Sequence, residues 1–147
     1  MLVGILMGSE SDKEVMQLTS EILKDLEIPC EVNIMSAHRT PDKVKDYASN
    51  ASERGLKVLI AGAGLAAHLA GAVAAHTILP VIGVPLAAGP LNGMDSLLST
   101  VQMPKGIPVA TVAIGSHGAR NAAYLAAQII ALENPEVAAR LKKLRGW

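Results

Sequence analysis

Aromatic side chains are almost absent from this sequence, which has no Phe, one Trp and two Tyr. Proteins that bind single-stranded nucleic acid stack its bases on such side chains, so we expect no stacking platform here. The formal net charge is zero, and we therefore expect no basic surface that would attract nucleic acid or an anionic membrane. Together these absences favour a partner that is neither nucleic acid nor membrane.

Cysteine is almost as scarce, because Cys30 is the only one. A single cysteine excludes an intrachain disulfide framework and fits a reducing compartment. We expect Cys30 itself to be a small buried apolar residue at the start of a strand. The first residues, "MLVGILMGSESD", carry no basic region before the apolar run, so we expect no signal peptide and a cytoplasmic location.

Charged residues are missing from one long stretch, residues 58–94. Its length invites comparison with a membrane span, but Pro80, Pro85, Pro90 and several glycines interrupt it. We instead predict a buried strand, a helix of small residues over 66–77 and a second buried strand. Because "AAHLAGAVAAHT" is apolar on nearly every side, we expect other subunits to cover that helix.

Strand and helix patterns alternate along the whole chain. We predict strands over 2–7, 31–35, 57–62, 80–85 and 108–115, with helices over 11–27, 41–54, 66–77, 94–103, 119–132 and 135–147. This order predicts an α/β fold with a five-stranded parallel sheet covered by helices on both faces. We find no linker, so residues 1–147 are expected to form a single domain.

In such a sheet ligands bind where the strands end. Four loops should meet there: "GSESD", "SAHRTP", "AGAGLAAH" and "PLAAGPLNGMDS". The first contains Ser9, Ser11 and Asp12 just before a helix. These residues fit an N-cap, and they also fit hydroxyls and amides that face an anion such as phosphate.

The "SAHRTP" loop combines Ser36, His38 and Arg39. A turn that only reverses the chain needs none of these side chains. The guanidinium of Arg39 can bind phosphate bidentately, and His38 can exchange a proton near neutral pH. We therefore predict a site for a phosphorylated small molecule that undergoes proton-coupled chemistry.

The "AGAGLAAH" loop matches the dinucleotide fingerprint poorly, because it follows the third strand. We interpret Gly62 and Gly64 as glycines that let the backbone approach a small planar ligand. His68 fits a structural role and a role in the site equally well. No histidine pair has zinc-like spacing with a carboxylate or thiol, so no metal is predicted.

The segments "MGSESD", "SAHRTP", "AGAGLAAHLAG", "LPVIGVP", "DSLLSTVQMPKGIPVATVAIG" and "NAAYLAAQI" resemble, in this order, the signature segments of the N5-carboxyaminoimidazole ribonucleotide mutases of purine biosynthesis. The resemblance implies a flavodoxin-like three-layer α/β/α sandwich, a homo-octamer, and no metal or organic cofactor. It implies an enzyme that moves a carboxylate from the exocyclic nitrogen of a nucleotide substrate to ring carbon four.

The resemblance also assigns roles to residues of this chain. It implies that His38 is the general acid and base. Ser9, Asp12 and Arg39 would bind the substrate nucleotide, with Ser11 and Ser36 beside its phosphate and Asp12 on its ribose. The imidazole and the migrating carboxylate would be framed by the remaining predicted site residues: Ala63, Gly64, Leu65, Ala66 and His68.

Three other functions stay open at this point. A sister class carboxylates aminoimidazole ribonucleotide (AIR) directly with CO2, but it tends to carry Lys where this chain has Arg39. A non-catalytic nucleotide-binding sensor could use the same fold. A flavin electron carrier would need aromatic side chains around its isoalloxazine ring, and this chain has few.

Overall fold

A computed structural model describes residues 2–147. Five strands and the first five of six α-helices alternate along this part of the chain, a short 3-10 helix (Glu10–Asp12) precedes the first α-helix, and the sixth α-helix follows the fifth directly. The strands are β1 (Val3–Met7), β2 (Cys30–Ile34), β3 (Val58–Gly64), β4 (Val81–Leu86) and β5 (Ala110–Thr111). The helices are α1 (Lys13–Asp25), α2 (Pro41–Asn50), α3 (Leu69–Ala74), α4 (Met94–Val101), α5 (Ser116–Ala131) and α6 (Pro135–Leu144).

The five strands form one parallel sheet in the order β2-β1-β3-β4-β5. The chain starts near the middle of the sheet, winds to one edge and then winds to the other. This is the flavodoxin-like order, in which the ligand site lies where the winding direction reverses, at the carboxyl ends of β1 and β3. The predicted α/β fold with a five-stranded parallel sheet is confirmed.

Both faces of the sheet are covered by helices. Residues of β1 alternate between two cores: Val3, Ile5 and Met7 pack with α1 and α5, whereas Leu6 packs with α2 and α3. Helix α4 joins the second face, where it contacts β4 and β5. The three central strands β1, β3 and β4 are continuous apolar runs because helices cover both of their faces, whereas the edge strand β2 leaves Val32 and Ile34 exposed.

Helix α3 is shorter than predicted, and its surroundings correct an expectation. The chain turns at Leu65, whose φ of 56° lies in the left-handed region, so the helix begins only after His68. Within this six-residue helix, Leu69, Ala70, Val73 and Ala74 are all buried by the chain itself. The premise that one chain cannot cover this helix is therefore wrong for these four residues, whereas burial of the exposed Ala75 and His76 by other subunits stays a prediction.

Strand β5 is also shorter than predicted, with only Ala110 and Thr111 in the ladder, opposite Ile82 and Gly83. Cys30 is partly exposed rather than buried, because it lies on the edge strand β2. Its partial burial still raises the pKa of the thiol. No helix within residues 2–147 is long and apolar enough to cross a membrane.

A polar cluster holds α2 against the edge strand. The Glu31 carboxylate of β2 accepts hydrogen bonds from the Tyr47 hydroxyl, at 2.7 Å, and from the Arg54 guanidinium. Partial burial acts to raise the pKa of Glu31. The two hydrogen bonds and the charge of Arg54 outweigh it, and the pKa of Glu31 is lowered.

We predict that Glu31→Gln destabilises the fold by up to about 1 kcal/mol at pH 7, since the ion pair is partly exposed. A lowered folded-state pKa stabilises the protein above the ordinary glutamate pKa, and this contribution is lost as the pH falls through the folded-state value. The difference from the parent chain should therefore shrink below about pH 4. Urea unfolding at pH 7 and pH 3.5 measures it, with the exposed Glu53→Gln as control. An equal difference at both values would contradict the argument.

Candidate active site

The four loops predicted to meet at one sheet edge do so, and they enclose a pocket of about 390 Å³. All eleven predicted site residues line it: Ser9, Ser11, Asp12, Ser36, His38, Arg39, Ala63, Gly64, Leu65, Ala66 and His68. They come from the ends of β1, β2 and β3, which are neighbours in the sheet. The position of these side chains follows from the strand order, whereas their chemical roles stay predictions.

The loop after β1 combines capping with free polar atoms. Asp12 Oδ2 accepts from the backbone N–H of Ser9 at 3.0 Å and from the Ser9 hydroxyl at 3.2 Å. The hydroxyl oxygens of Ser9 and Ser11 lie 2.5 Å apart. Asp12 therefore stabilises the turn with one carboxylate oxygen, Oδ2. The other oxygen, Oδ1, has no hydrogen bond within residues 2–147 and is free to accept one from a ligand hydroxyl.

The loop after β2 is held in shape by its own serine. The Ser36 hydroxyl oxygen accepts from the backbone N–H groups of His38, at 3.3 Å, and Arg39, at 3.2 Å. Because these contacts use the lone pairs of the oxygen, the hydroxyl hydrogen of Ser36 can still be donated to an anion. The loop thereby presents a hydroxyl donor next to the Arg39 side chain.

Arg39 connects the first two loops. One of its guanidinium nitrogens, Nη2, donates to the Gly8 carbonyl at 2.7 Å. This bond uses one of the five N–H groups, so the fork still has donors for a phosphate group. Apart from the two histidines, Arg39 and Asp12 are the only ionisable residues that line the pocket among residues 2–147.

The two histidines of the pocket contact each other. Nε2 of His38 lies 2.7 Å from Nδ1 of His68, and the rings meet edge to face with centroids 4.9 Å apart. One nitrogen must carry a hydrogen and the other must accept it. The sequence left the role of His68 open between structure and site, and the structure places it in the pocket against His38.

The wall formed by Ala63 to Ala66 is apolar, and its glycines act differently from the prediction. A Cβ on Gly62 would collide with the side chain of Met16, and one on Gly64 would lie 2.7 Å from Cβ of Ala88. Gly62 thus admits a side chain of α1, and Gly64 admits the loop after β4. The interpretation that these glycines serve close approach of a ligand is wrong for Gly62, which is buried.

Four lining residues were not predicted: Gly8, Ala37, Leu69 and Ala88. Gly8 and Ala37 lie inside loops that the sequence did single out. Ala88 belongs to the "PLAAGPLNGMDS" loop, and its position after β4 was the signal that could have identified it. Within residues 2–147 no cluster of three or more His, Cys, Asp or Glu side chains could hold a metal ion.

A sequence model of the AIR carboxylase family matches residues 2–146. The chain belongs to this family. It is 58% identical to the N5-carboxyaminoimidazole ribonucleotide mutase of Bacillus subtilis over 98% of this chain and 89% of that protein. It is 56% identical to the protein of the same name from Pyrococcus abyssi, over 97% of this chain and 81% of that one.

Solved structures agree with the family assignment. The fold superposes on a crystal structure of Treponema denticola PurE with a TM-score of 0.86 and 32% identity, covering 99% of this chain and 89% of that one. A variant of Treponema denticola PurE2 gives a TM-score of 0.89 at the same identity and coverage. The flavodoxin-like sandwich implied by the sequence resemblance is the fold of this family.

Proposed function

We propose that this chain is an N5-carboxyaminoimidazole ribonucleotide mutase, which transfers a carboxylate from the exocyclic nitrogen of its substrate to C4 of the imidazole. The observation that carries the proposal is a single pocket with Arg39 and hydroxyls at one side, and His38 next to the apolar Ala63–Ala66 wall at the other. High identity to mutases over nearly the whole chain supports the same function.

The polar side of the pocket suits a nucleotide. Arg39 provides a charged fork for the phosphate, and the free hydroxyl hydrogen of Ser36 points to the same role. Ser9 and Ser11 add two further hydroxyls, which are hydrogen-bonded to each other in this structure, with that of Ser9 also bonded to Asp12, and would have to turn to donate to a ligand. Asp12 has one free carboxylate oxygen for a ribose hydroxyl. This contact would also orient the imidazole ring of the nucleotide.

The chemistry requires one proton to be given and one to be taken. His38 protonates the carbamate nitrogen, the C–N bond breaks and CO2 is released. The electron pair of the broken bond stays on the nitrogen. The freed enamine then attacks CO2 through C4, and a base removes the C4 proton. The Ala63–Ala66 wall supplies an uncharged surface that confines CO2 between the two steps.

Direct carboxylation of AIR is the second candidate, because the family model carries the description AIR carboxylase. A proton NMR assay separates the two. We expect purified protein to convert the N-carboxylated substrate in the absence of bicarbonate. Turnover of AIR with bicarbonate, and none of the N-carboxylated compound, would assign the chain to the carboxylases instead.

We further propose that this chain forms a homo-octamer in the cytoplasm, with residues 1–147 as one catalytic domain. Helix α4 supports the assembly because its polar residues face the sheet and its large apolar residues face outwards. Its inner face buries Ser96 and Thr100, whereas Met94, Leu98 and Val101 on the outer face are 52%, 51% and 45% exposed. An exposed apolar stripe of this kind favours contact with further copies of the chain.

The inner face of α4 presents small side chains to β4 at Gly83. A Cβ on Gly83 would collide with the Thr100 side chain, so α4 lies close to the sheet there. The Ser96 hydroxyl lies 2.8 Å and 2.9 Å from the carbonyl oxygens of Leu86 and Gly93, which satisfies it without a bulky partner. Met94, Leu98 and Val101 are left on the outer face, while Leu97 is half-buried between the two faces.

We predict that Leu98→Glu breaks the assembly, because a buried unpaired carboxylate is costly at an apolar contact. Light scattering at micromolar concentration should show a large oligomer for the parent chain and a smaller species for the variant. The control is Leu144→Glu, an exposed leucine of α6 outside the stripe. A parent chain that is monomeric near 15.3 kDa would contradict both the octamer and the role of α4.

A further inference from the structure

The hydrogen bond between His38 and His68 leaves one nitrogen of each ring without a protein partner. Within residues 2–147 the side chain of each histidine makes this one hydrogen bond, between Nε2 of His38 and Nδ1 of His68 at 2.7 Å. The pair is thus a row of four ring nitrogens, and its two free ends are Nδ1 of His38 and Nε2 of His68. Such a row can move a proton from one end to the other.

We propose that His68 is a positioning residue that passes a proton to His38 and takes it back along this hydrogen bond. The proposal rests on the proposed mutase function, in which His38 must act as an acid in one step and as a base in the next. His68 reaches the reaction through His38 and needs no contact with the substrate.

The proton balance closes over the two steps. The cycle starts with one extra proton on the pair, so that His68 carries both N–H groups and His38 carries Nδ1–H. His38 gives its Nδ1 proton to the carbamate nitrogen, and the Nδ1 proton of His68 moves to Nε2 of His38, which leaves both rings neutral. After C4 attacks CO2, the C4 proton goes to Nδ1 of His38, the Nε2 proton returns to His68, and the initial state is restored.

Among the groups around His38, His68 is the one that can exchange a proton with it. From the β1 loop, the Asp12 carboxylate accepts from Ser9, and from the β2 loop Arg39 donates to the Gly8 carbonyl. The β3 loop from Ala63 to Ala66 and Ala88 after β4 contribute no charge to the pocket. Among the described residues, no other titratable side chain is hydrogen-bonded to His38.

The geometry of the contact between His38 and His68 favours proton transfer over a packing role for His68. Both imidazoles are exposed, so neither is needed to fill a core. His68 immediately precedes α3, whose residues Leu69 and Ala70 are buried and fix its backbone position. A backbone anchored by buried neighbours and a 2.7 Å hydrogen bond hold the two rings edge to face, with the two nitrogens within reach for proton transfer.

The first test is His68→Asn, because an amide can hydrogen-bond to Nε2 of His38 but cannot relay a proton. We expect kcat to fall by about 10- to 100-fold with KM changed by less than about threefold. Rates in mixtures of H2O and D2O should depend on deuterium content in a curved manner for the parent chain, where two protons move, and linearly for the variant. Unchanged kcat, or equal curvature in both proteins, would overturn the proposal.

The matched control is His76→Asn, since His76 is exposed just beyond α3 and does not line the pocket. It should keep the parent kcat and the curved isotope dependence. A similar loss of kcat in this control would show that the effect of His68→Asn is not specific, and it would also count against the relay.

A second test does not depend on turnover. In the substrate-free protein with 15N-labelled histidine, two-bond H–N spectra show which ring nitrogen of His38 is protonated. We expect His68→Asn to change this pattern and His76→Asn to leave it as in the parent. An unchanged pattern in His68→Asn overturns the proposal. If the pattern does change in His68→Asn but the parent chain has no mutase turnover, the result counts against the proposed function instead.

Discussion

His38→Asn is expected to lower kcat by at least about a hundredfold while nucleotide affinity changes by less than about threefold. Asn retains a polar group in the pocket but cannot carry the proton that both steps require. The backbone N–H of His38 donates to Ser36, and this bond does not depend on the side chain, so the phosphate side of the loop should keep its shape. Steady-state kinetics give kcat, and calorimetry with the product nucleotide gives the affinity.

The control for this variant is His117→Asn, which replaces an exposed histidine at the start of α5, outside the pocket. It should be as active as the parent chain. If His38→Asn keeps more than about a tenth of the parent kcat, His38 is not the general acid and base, because such groups contribute typically about 100- to 10,000-fold.

The sequence was sufficient to place the pocket because parallel strands end at one edge of a sheet. Once alternation had indicated a parallel sheet, the loops containing Ser9, His38 and Ala63 were expected along one edge of it. The ladder that pairs Met7 with both Ile34 and Gly62 confirms this juxtaposition. The contacts between individual side chains in the pocket could not be predicted from the pattern.

The contact between His38 and His68 is an example of what the pattern could not give. The two residues are 30 positions apart and belong to loops on different strands. Their hydrogen bond depends on the left-handed turn at Leu65, which has a φ of 56° although Leu rarely adopts it. The sequence showed only a leucine between glycine and alanine there, with no sign of the turn.

Helix α3 was misjudged because hydrophobic content does not say how much of a helix one chain can cover. Helix α3 looked too apolar for one chain to cover, yet its small residues fit between α2, β3 and β4. Helix α4 shows bulky residues at the spacing of Met94, Leu98 and Val101, which by default indicates an inward face. Gly83 reverses that expectation, because only a small polar face fits against it.

Arg39→Ala is expected to weaken binding of the nucleotide by about 2 to 3 kcal/mol, which is about 30- to 150-fold in Kd. The change removes the one arginine or lysine among the described residues that line the pocket, and it also removes the hydrogen bond to the Gly8 carbonyl that ties the first two loops together. Calorimetry with the product nucleotide measures the loss. The control Arg120→Ala removes an exposed arginine of α5 and should leave Kd unchanged.

Arg39→Lys separates the two contributions of the arginine. A lysine ammonium restores the positive charge, but as a point charge it cannot donate to the phosphate bidentately and reach the Gly8 carbonyl at the same time. We therefore expect it to recover only part of the affinity lost in Arg39→Ala. Full recovery would mean that charge alone matters and that the tie between the β1 and β2 loops contributes nothing to binding. If Arg39→Ala itself leaves Kd unchanged, Arg39 is a surface charge and the phosphate lies elsewhere in the pocket.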